Sequence, residues 1–256
     1  MSKNPRGKNP LAGVQRADRT RTIAIQVGVG AVLVALIAAI GISIAIKNNK
    51  KNDPGPTPTV TAQAAPGGVE GSITDNGAIR IAKPGAKATV RVIADLQCPA
   101  CQMFEQANGK TIEDEVNAGT AAVEYNIVAF LDKMSGGTRY SSRAANAAYA
   151  VAGSDPAKFM PWLSSMFQQQ PPENGTGLTD DQIIQITQAA GITDPSVAED
   201  IKSDKYDKYV QKVTQDVAGE GIQSTPSVFV NGKQIKSSQE LMQPDGLRPT
   251  IEAAAK

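Results

Sequence analysis

Hydrophobic and polar residues alternate in a way that predicts an α/β domain in the C-terminal part of the chain. Short apolar runs rich in β-branched residues predict strands at residues 78–81, 88–94 and 122–131. Between the second and third runs, apolar residues recur at helical spacing from Met103 towards Val116. A strand, a helix and a strand in this order form a βαβ unit with parallel strands.

A long helical segment follows this unit. The segment at about residues 138–219 includes a capping box at Thr179 and Gln182 and a helix start at Asp194-Pro195. It is too long to serve only as a crossover connection between two strands. We therefore predict a helical subdomain that is inserted into the α/β sheet.

The predicted insertion carries one group of large apolar residues at helical spacing. This spacing suits the buried face of a helix and also the wall of a substrate groove, and we favour core packing. The residues are Phe159, Trp162, Met166 and Phe167.

After the insertion the chain returns to a strand pattern. Residues 227–230 and 233–235 flank Asn231-Gly232, a pair of residues that strongly predicts a two-residue β-hairpin turn. A helical pattern over residues 245–254 ends the chain. The predicted order is strand, helix, strand, helices, hairpin and helix.

The N-terminal part has the pattern of a membrane anchor. Residues 22–46 form an apolar run that exceeds the roughly 20 residues needed to span a bilayer. Residues 1–21 carry the heavier basic flank, which places this tail in the cytoplasm. Residues 47–71 are rich in Pro, Gly, Thr and Ala, and predict a flexible linker. Residues 72–256 would then form a domain outside the cytoplasm.

A cleaved signal peptide is the alternative interpretation of the apolar run. The apolar region of a signal peptide usually has about 7–15 residues, with a small-residue cleavage site close behind it. The candidate site Ala62-Gln63-Ala64 lies well beyond the end of the run. We therefore favour an uncleaved anchor and a single-pass protein of the cell membrane.

Composition excludes several kinds of active site. The chain has no histidine, which removes Ser-His-Asp triads, Cys-His nucleophiles and imidazole metal ligands. Its 26 Lys and Arg residues nearly equal its 25 Asp and Glu residues, so the charge gives no reason to propose a nucleic-acid partner. Two cysteines are too few for a four-ligand zinc or iron–sulfur site.

The two cysteines, Cys98 and Cys101, are spaced for redox chemistry. They follow a predicted strand and begin a predicted helix, with Pro99 in its first turn. A disulfide that closes so small a ring adds little stability. Helix N-terminal N–H groups favour a thiolate at Cys98. We therefore expect Cys98 to attack and Cys101, one turn further, to resolve the mixed disulfide.

Three other interpretations of the cysteine pair stay open at this point. A metal site would need further ligands from Asp or Glu, although soft metals prefer Cys and His. A copper carrier is also conceivable, but Leu96 occupies the position where a methionine would support it. The third alternative is a purely structural disulfide. We favour redox chemistry and predict no metal.

Two sequence motifs give the chain a family resemblance. Asp95-Leu-Gln-Cys-Pro-Ala-Cys101 looks like the active-site turn of the thioredoxin superfamily, and its Cys-Pro-x-Cys order resembles the DsbA-like thiol oxidoreductases. Residues 221–232, Gly-Ile-Gln-Ser-Thr-Pro-Ser-Val-Phe-Val-Asn-Gly, resemble the cis-proline loop and the following hairpin of this family. The helical insertion also matches DsbA-like proteins. The resemblance covers the chain from about residue 71 onwards.

The resemblance implies roles for several residues. Thr225 and Pro226 would form a cis peptide that packs against the cysteines and pairs with a substrate backbone, where the alternative is an ordinary trans turn. Ala100 stands where the strongest oxidants have histidine, which implies a milder oxidant. Val92 stands where the family often has a buried acid. Asp95 is a candidate proton acceptor for Cys101 in its place, and a solvated or capping carboxylate is the alternative.

These observations lead to a prediction of function. The chain is expected to be a thioredoxin-like, membrane-anchored thiol–disulfide oxidoreductase, and a dithiol oxidase for exported proteins. Its expected partners are those substrates and a membrane protein that re-oxidises or reduces it. The Cys98–Cys101 disulfide would be its redox centre, without a separate cofactor. A reductase or isomerase of the same fold, and a redox-inert binding module or metal chaperone, are the alternatives.

Overall fold

A computed structural model describes residue 40, residues 53–60 and residues 68–256 of the chain. The chain divides into two compact units, residues 1–53 and residues 54–256. In the first unit the described residues are Ile40 and Asp53. The second unit contains every strand that the structure describes.

The second unit is built around a mixed six-stranded sheet in the order β1-β2-β4-β3-β5-β6. β3 and β4 pair in parallel at its centre, and the other neighbouring pairs are antiparallel. The central strands are buried on both faces, which suits their β-branched and apolar side chains. The strands are β1 (Glu70–Ile73), β2 (Ile79–Ala82), β3 (Ala88–Ala94), β4 (Ala121–Ile127), β5 (Ser227–Val230) and β6 (Lys233–Gln234).

Eight α-helices accompany the sheet in the described part of the second unit. One helix connects β3 to β4, five form the insertion between β4 and β5, and two follow the hairpin. The helices are α1 (Pro99–Ala118), α2 (Tyr140–Ser154), α3 (Phe159–Gln168), α4 (Asp180–Ala189), α5 (Pro195–Lys202), α6 (Asp207–Gly219), α7 (Ser238–Met242) and α8 (Arg248–Ala254).

The βαβ unit and the insertion are confirmed. β3 has the predicted bounds, and it pairs in parallel with β4 from Ala88↔Ala121 to Ala94↔Ile127. The helices of the insertion run from Tyr140 to Gly219, and the predicted capping box of α4 is present.

Two predicted elements differ from the observed ones by several residues at one end. β4 ends at Ile127 rather than at residue 131, because the chain turns so that the backbone N–H of Leu131 donates to Asp95. The last helix begins at Arg248 rather than at residue 245, because Asp245 has a positive φ of 58°.

The predicted linker over residues 47–71 is in part a folded piece of the domain. Residues 54–60 belong to the second unit, and Pro58 is buried. This segment lines a groove together with Tyr209 and Val213 of α6. β1 also begins at Glu70, inside the predicted linker, and its Glu-Gly-Ser-Ile sequence is too polar to show a strand pattern. Pro58 is therefore part of the folded domain, whereas Pro56 is exposed.

The predicted transmembrane helix over residues 22–46 lies outside the described residues apart from Ile40. The predicted cytoplasmic tail, residues 1–21, lies outside them as well. Within the described ranges, no helix has both the length and the hydropathy needed to cross a bilayer.

The group of large apolar residues in the insertion lies in the core, as we favoured. All four side chains are buried, with exposed fractions between 0 and 2%. Trp162 donates from its indole Nε1 to the hydroxyl of Thr187 at 3.0 Å, which ties α3 to α4. Phe159 contacts Tyr125 of β4 edge-on, with ring centroids 5.7 Å apart. The insertion and the sheet therefore share one hydrophobic core.

Candidate active site

The cysteines lie where the central parallel strands end. β3 ends at Ala94, and Cys98 is the N-cap residue of α1 with Pro99 as the first helical residue. Pro99 suits this position because the first helical N–H has no partner within the helix. The carboxyl edge of parallel strands is where α/β proteins place their sites.

The two thiols have different access to solvent. Both are free in this structure, with exposed fractions of 7% for Cys98 and 1% for Cys101. Pro99 beside them is exposed, and Ala100 is half-buried. A partner can therefore reach Cys98, whereas Cys101 is covered by the protein.

The surroundings of Cys98 favour its thiolate. A hydrogen bond from the Cys101 thiol, the largest effect, lowers the pKa of Cys98 to about 6. The Thr225 hydroxyl and the backbone N–H groups of Cys101 and Ala100 add to this, and burial opposes it. Both N–H groups lie in the first turn of α1, where the helix N-terminus favours negative charge. Cys98 is thus mainly ionised at neutral pH.

Cys101 is held as a neutral thiol. Burial, the largest effect, raises its pKa well above the ordinary value, and the hydrogen bond and negative charge of Cys98 raise it further. A hydrogen bond from the backbone of Asp95 opposes the shift. The two sulfurs share one proton, which stays on Cys101, so the pair titrates as a coupled unit.

The loop that precedes β5 closes the site from the other side. The Thr225–Pro226 peptide is cis, as the resemblance implied. The carbonyl oxygen of Thr225 lies 3.4 Å from the Cys98 sulfur and accepts from its thiol form. The fold therefore brings into direct contact two segments that are 127 residues apart in the sequence.

Asp95 is fully buried, so its carboxylate is not solvated, but it does cap the turn by accepting from the backbone N–H of Gln97. Burial raises the pKa of its carboxyl to about 6. Three donors hold it: the backbone N–H of Gln97 at 2.9 Å, the Ser141 hydroxyl at 2.7 Å and the backbone N–H of Leu131 at 2.9 Å. The three hydrogen bonds oppose this rise in the Asp95 pKa, and the negative charge of Cys98 makes a smaller contribution to it than burial does.

Three polar side chains around this turn have roles that the sequence patterns do not indicate. Ser141 begins the insertion and donates to Asp95. Gln97 is fully buried and donates to the carbonyl oxygen of Met134 at 2.9 Å. Gln170 donates to the carbonyl oxygens of Leu96 and Cys98. No motif surrounds Ser141 or Gln170, and each reaches the turn from far along the chain.

The arrangement supports one kind of chemistry directly. An accessible thiolate and a buried thiol, one helical turn apart, are the two partners that thiol–disulfide exchange requires. In the described part of the chain, no group of three or more Cys, Asp and Glu side chains is placed to hold a metal ion. Ala100 contributes only its backbone N–H to the thiolate.

Comparison with known proteins agrees with this geometry. A family model described as Thioredoxin matches residues 74–253, which is more than half of the chain. The serine/threonine-protein kinase PknE of Mycobacterium tuberculosis is 31% identical over 132 residues. That match covers 50% of this chain but 23% of the kinase, so the chain spans less than a quarter of the length of that relative.

Similar solved structures include two that this chain matches over nearly their whole length. The reduced form of the disulfide bond oxidoreductase DsbG from Mycobacterium tuberculosis is 32% identical, with a TM-score of 0.57, and the match covers 72% of this chain and 94% of that one. Reduced DsbA from the same organism is also 32% identical, with a TM-score of 0.55 and coverage of 70% and 99%. The chain therefore belongs to the thioredoxin family, and the matched region is a thiol–disulfide oxidoreductase domain similar to DsbA and DsbG.

Proposed function

We propose that the protein is a membrane-anchored dithiol oxidase that introduces disulfides into exported proteins. The observation that carries this proposal is the stabilised thiolate of Cys98, whose pKa is lowered to about 6. A stabilised thiolate makes the reduced form of the pair more stable relative to the disulfide. The disulfide then tends to accept electrons from substrates rather than to give them up.

The proposed reaction begins with the Cys98–Cys101 disulfide. A substrate thiolate attacks the Cys98 sulfur, forms a substrate–Cys98 disulfide and releases the Cys101 sulfur as a thiolate, which takes up one proton. A second substrate thiolate then attacks the substrate sulfur of this mixed disulfide and releases Cys98 as a thiolate. Two electrons pass from the substrate to the protein, and the substrate gains one disulfide.

The leaving-group properties of Cys98 favour this direction. A thiolate with a low pKa leaves faster, so the last step is assisted by the environment of Cys98. In the reverse direction Cys98 would be a weak attacking group, because nucleophilicity falls with pKa. A reductase would need a Cys98 that attacks well, even if it leaves more slowly.

Asp95 is the proposed proton carrier for Cys101. Its backbone contacts the Cys101 sulfur, and its buried carboxyl has a pKa raised to about 6. A group with this pKa can hold or release a proton near neutral pH. Asp95 would supply the proton as Cys101 leaves, and would receive it when the pair is oxidised again.

Thr225 and Pro226 are the proposed contact for the substrate backbone. The loop lies against the reactive sulfur through the Thr225 carbonyl. An extended substrate segment beside this loop would place its own sulfur next to Cys98 by strand addition.

We also propose that residues 22–46 anchor the protein and that the domain lies outside the cytoplasm. The support is the apolar run with its heavier basic flank at residues 1–21. A membrane partner would re-oxidise the pair after each turnover. Cysteine labelling of intact cells tests this topology, with one cysteine placed at Ser2 or at Lys256 in a chain that carries Cys98→Ser and Cys101→Ser. An impermeant reagent should label the second position and not the first.

An oxidation assay with a reduced model protein tests the proposed direction. The full-length protein, supplied as its disulfide, should convert the two substrate thiols to a disulfide in stoichiometric amounts. Cys98→Ser should abolish this activity, whereas Gln169→Ser, an exposed polar control, should retain it. A wild-type protein that reduces substrate disulfides with glutathione, but forms none, would instead identify a reductase.

A further inference from the structure

We infer that Gln170 is a positioning residue for the Cys98 thiolate and that the helical insertion acts on the redox pair through it. The inference rests on the proposed dithiol chemistry of Cys98. It assigns to a side chain of the insertion a role in setting how readily the pair accepts electrons.

The side chain of Gln170 reaches into the active-site turn. Its Nε2 group lies 3.0 Å from the carbonyl oxygen of Leu96 and 3.0 Å from that of Cys98. Both N–H bonds of one amide are thus used on two carbonyls that flank Gln97. Gln170 itself is fixed after the end of α3, where its backbone N–H donates to the Phe167 carbonyl at 3.2 Å.

The Cys98 carbonyl is the one of the two that begins the first turn of α1. The Cys98 carbonyl accepts from the backbone N–H groups of Cys101 at 3.0 Å and of Gln102 at 3.2 Å, which begins the helix. No side-chain capping bond stabilises this N-terminus, although the N-cap position is where one usually occurs. Gln170 supplies a side-chain contact to the N-cap residue from another part of the chain.

The orientation of this turn matters for the Cys98 sulfur. The backbone N–H groups of Ala100 and Cys101, which lie in the same turn, help to lower the pKa of Cys98. A turn that loosens or rotates would aim these groups less well. The Cys98 carbonyl also carries partial negative charge close to its own thiolate, and an amide N–H donated to it reduces that repulsion.

The hydrogen bond from Gln170 to the Leu96 carbonyl has a second consequence. The Leu96 residue is fully buried, so its carbonyl oxygen needs an internal partner, which Gln170 provides. Removing the Gln170 amide would leave this carbonyl without that partner. The turn would then move to recover a hydrogen bond, and the sulfur would move with it.

Gln102 offers a control for packing between α1 and α3. Its Nε2 group donates to the Phe167 carbonyl at 2.7 Å and so joins α1 to α3 without touching the Leu96 or Cys98 carbonyl. Gln169 offers a second control, because it is exposed and adjacent to Gln170. If Gln170 acted only by holding the helices together, Gln102→Leu would reproduce its effect.

The test is a titration of the Cys98 thiolate by its ultraviolet absorbance in the reduced full-length protein. For Gln170→Leu, we expect the midpoint of thiolate formation to rise by about one pH unit, the size of the one hydrogen bond that is lost at the Cys98 carbonyl itself. Gln170→Glu keeps the shape but repels both carbonyls when ionised, so it should shift the midpoint in the same direction. Gln102→Leu and Gln169→Leu should leave the midpoint where it is.

A second readout is the equilibrium with glutathione at pH 7. A rise of one pH unit from about 6 should make the disulfide about fivefold harder to reduce, because less of the reduced pair is then held as thiolate. Unchanged midpoints in both Gln170 variants, or an equal shift in Gln102→Leu, would overturn the inference. A wild-type midpoint near 9.0 would instead overturn the proposed function, so the two failures are distinguishable.

Discussion

The active-site turn and the helical insertion act on the same two sulfurs in different ways. The turn carries Cys98 and Cys101 and supplies backbone N–H groups from within one short segment. The insertion supplies Ser141 to Asp95 and Gln170 to the carbonyl oxygens of the turn. The turn therefore decides which atoms react, and the insertion supports the groups that adjust how they react.

This difference explains why the pair is so asymmetric. A helix N-terminus alone favours a thiolate at its first residue. The contrast between a thiolate at Cys98 and a neutral thiol at Cys101 also needs burial, which the shared core provides by covering Cys101. Redox proteins with the same four-residue motif can thus differ in potential when the structure around the motif differs.

The largest effect is expected when the two cysteines are substituted one at a time. Cys101→Ser should trap substrates as stable mixed disulfides on Cys98, because the resolving sulfur is gone, whereas Cys98→Ser should trap none. Non-reducing electrophoresis of cells that express each full-length variant measures the adducts. Equal trapping by both variants would show that the sulfurs are interchangeable, contrary to their different burial.

A core substitution tests whether the insertion and the sheet fold together. Trp162→Ala removes a fully buried side chain and its bond to Thr187, and should lower the free energy of unfolding by about 3–5 kcal/mol. Met103→Ala, at a side chain that is 52% exposed, is the matched control and should cost little. Urea unfolding followed at the active site measures both. An insertion that melts separately, with the site intact, would contradict the shared core.

Asp95→Asn tests the proposed proton carrier. Burial raises the Asp95 pKa to about 6, so its carboxyl becomes a proton acceptor only as the pH rises through that value. In wild type, attack by Cys101 on a mixed disulfide should therefore accelerate as pH rises through about 6. The variant should lose this rise and react at least about tenfold more slowly at pH 7.

The same substitution should also change the pH dependence of stability. Because the folded-state pKa of Asp95 is raised, the wild type should lose stability as pH rises from about 4 to about 6. The variant should lack this component. Ser141→Ala keeps the carboxyl and should retain both pH effects. The same pH dependence in Asp95→Asn and in Ser141→Ala would contradict the proposed role of Asp95.

A smaller effect is expected from the turn itself. Ala100→His adds a side-chain donor and positive charge beside Cys98, so it should lower the Cys98 pKa further and make the pair more oxidising. A tenfold change in the equilibrium corresponds to about 30 mV for this two-electron couple. Met103→His, on an exposed part of α1, is the control. An unchanged potential in Ala100→His would show that this position does not face the thiolate.

The sequence was most informative where structure is set by neighbouring residues. The bounds of β3, the capping box of α4 and the Asn231-Gly232 hairpin follow from local patterns, and all are present. The family resemblance identified the contact between Thr225 and Cys98, which local patterns do not indicate.

The sequence was least informative where a polar residue depends on a distant partner. Asp95 looks like an ordinary acidic residue after a strand, and its buried carboxylate accepts from the hydroxyl of Ser141, 46 residues away. Gln170 precedes two prolines and carries no motif. The proline-rich segment at residues 54–60 has the composition of a linker, yet it packs on α6. Pairings of this kind depend on tertiary structure rather than on local propensity.

The reduction potential of the Cys98–Cys101 pair, measured against pH in the full-length protein, tests the central claim most directly. An oxidase should show a value near about −120 to −180 mV at neutral pH. The potential should fall by about 60 mV per pH unit below pH 6 and by about 30 mV per pH unit above it, because reduction takes up one proton fewer once Cys98 stays ionised. A value near about −270 mV with no change of slope would contradict the account and identify a reductase.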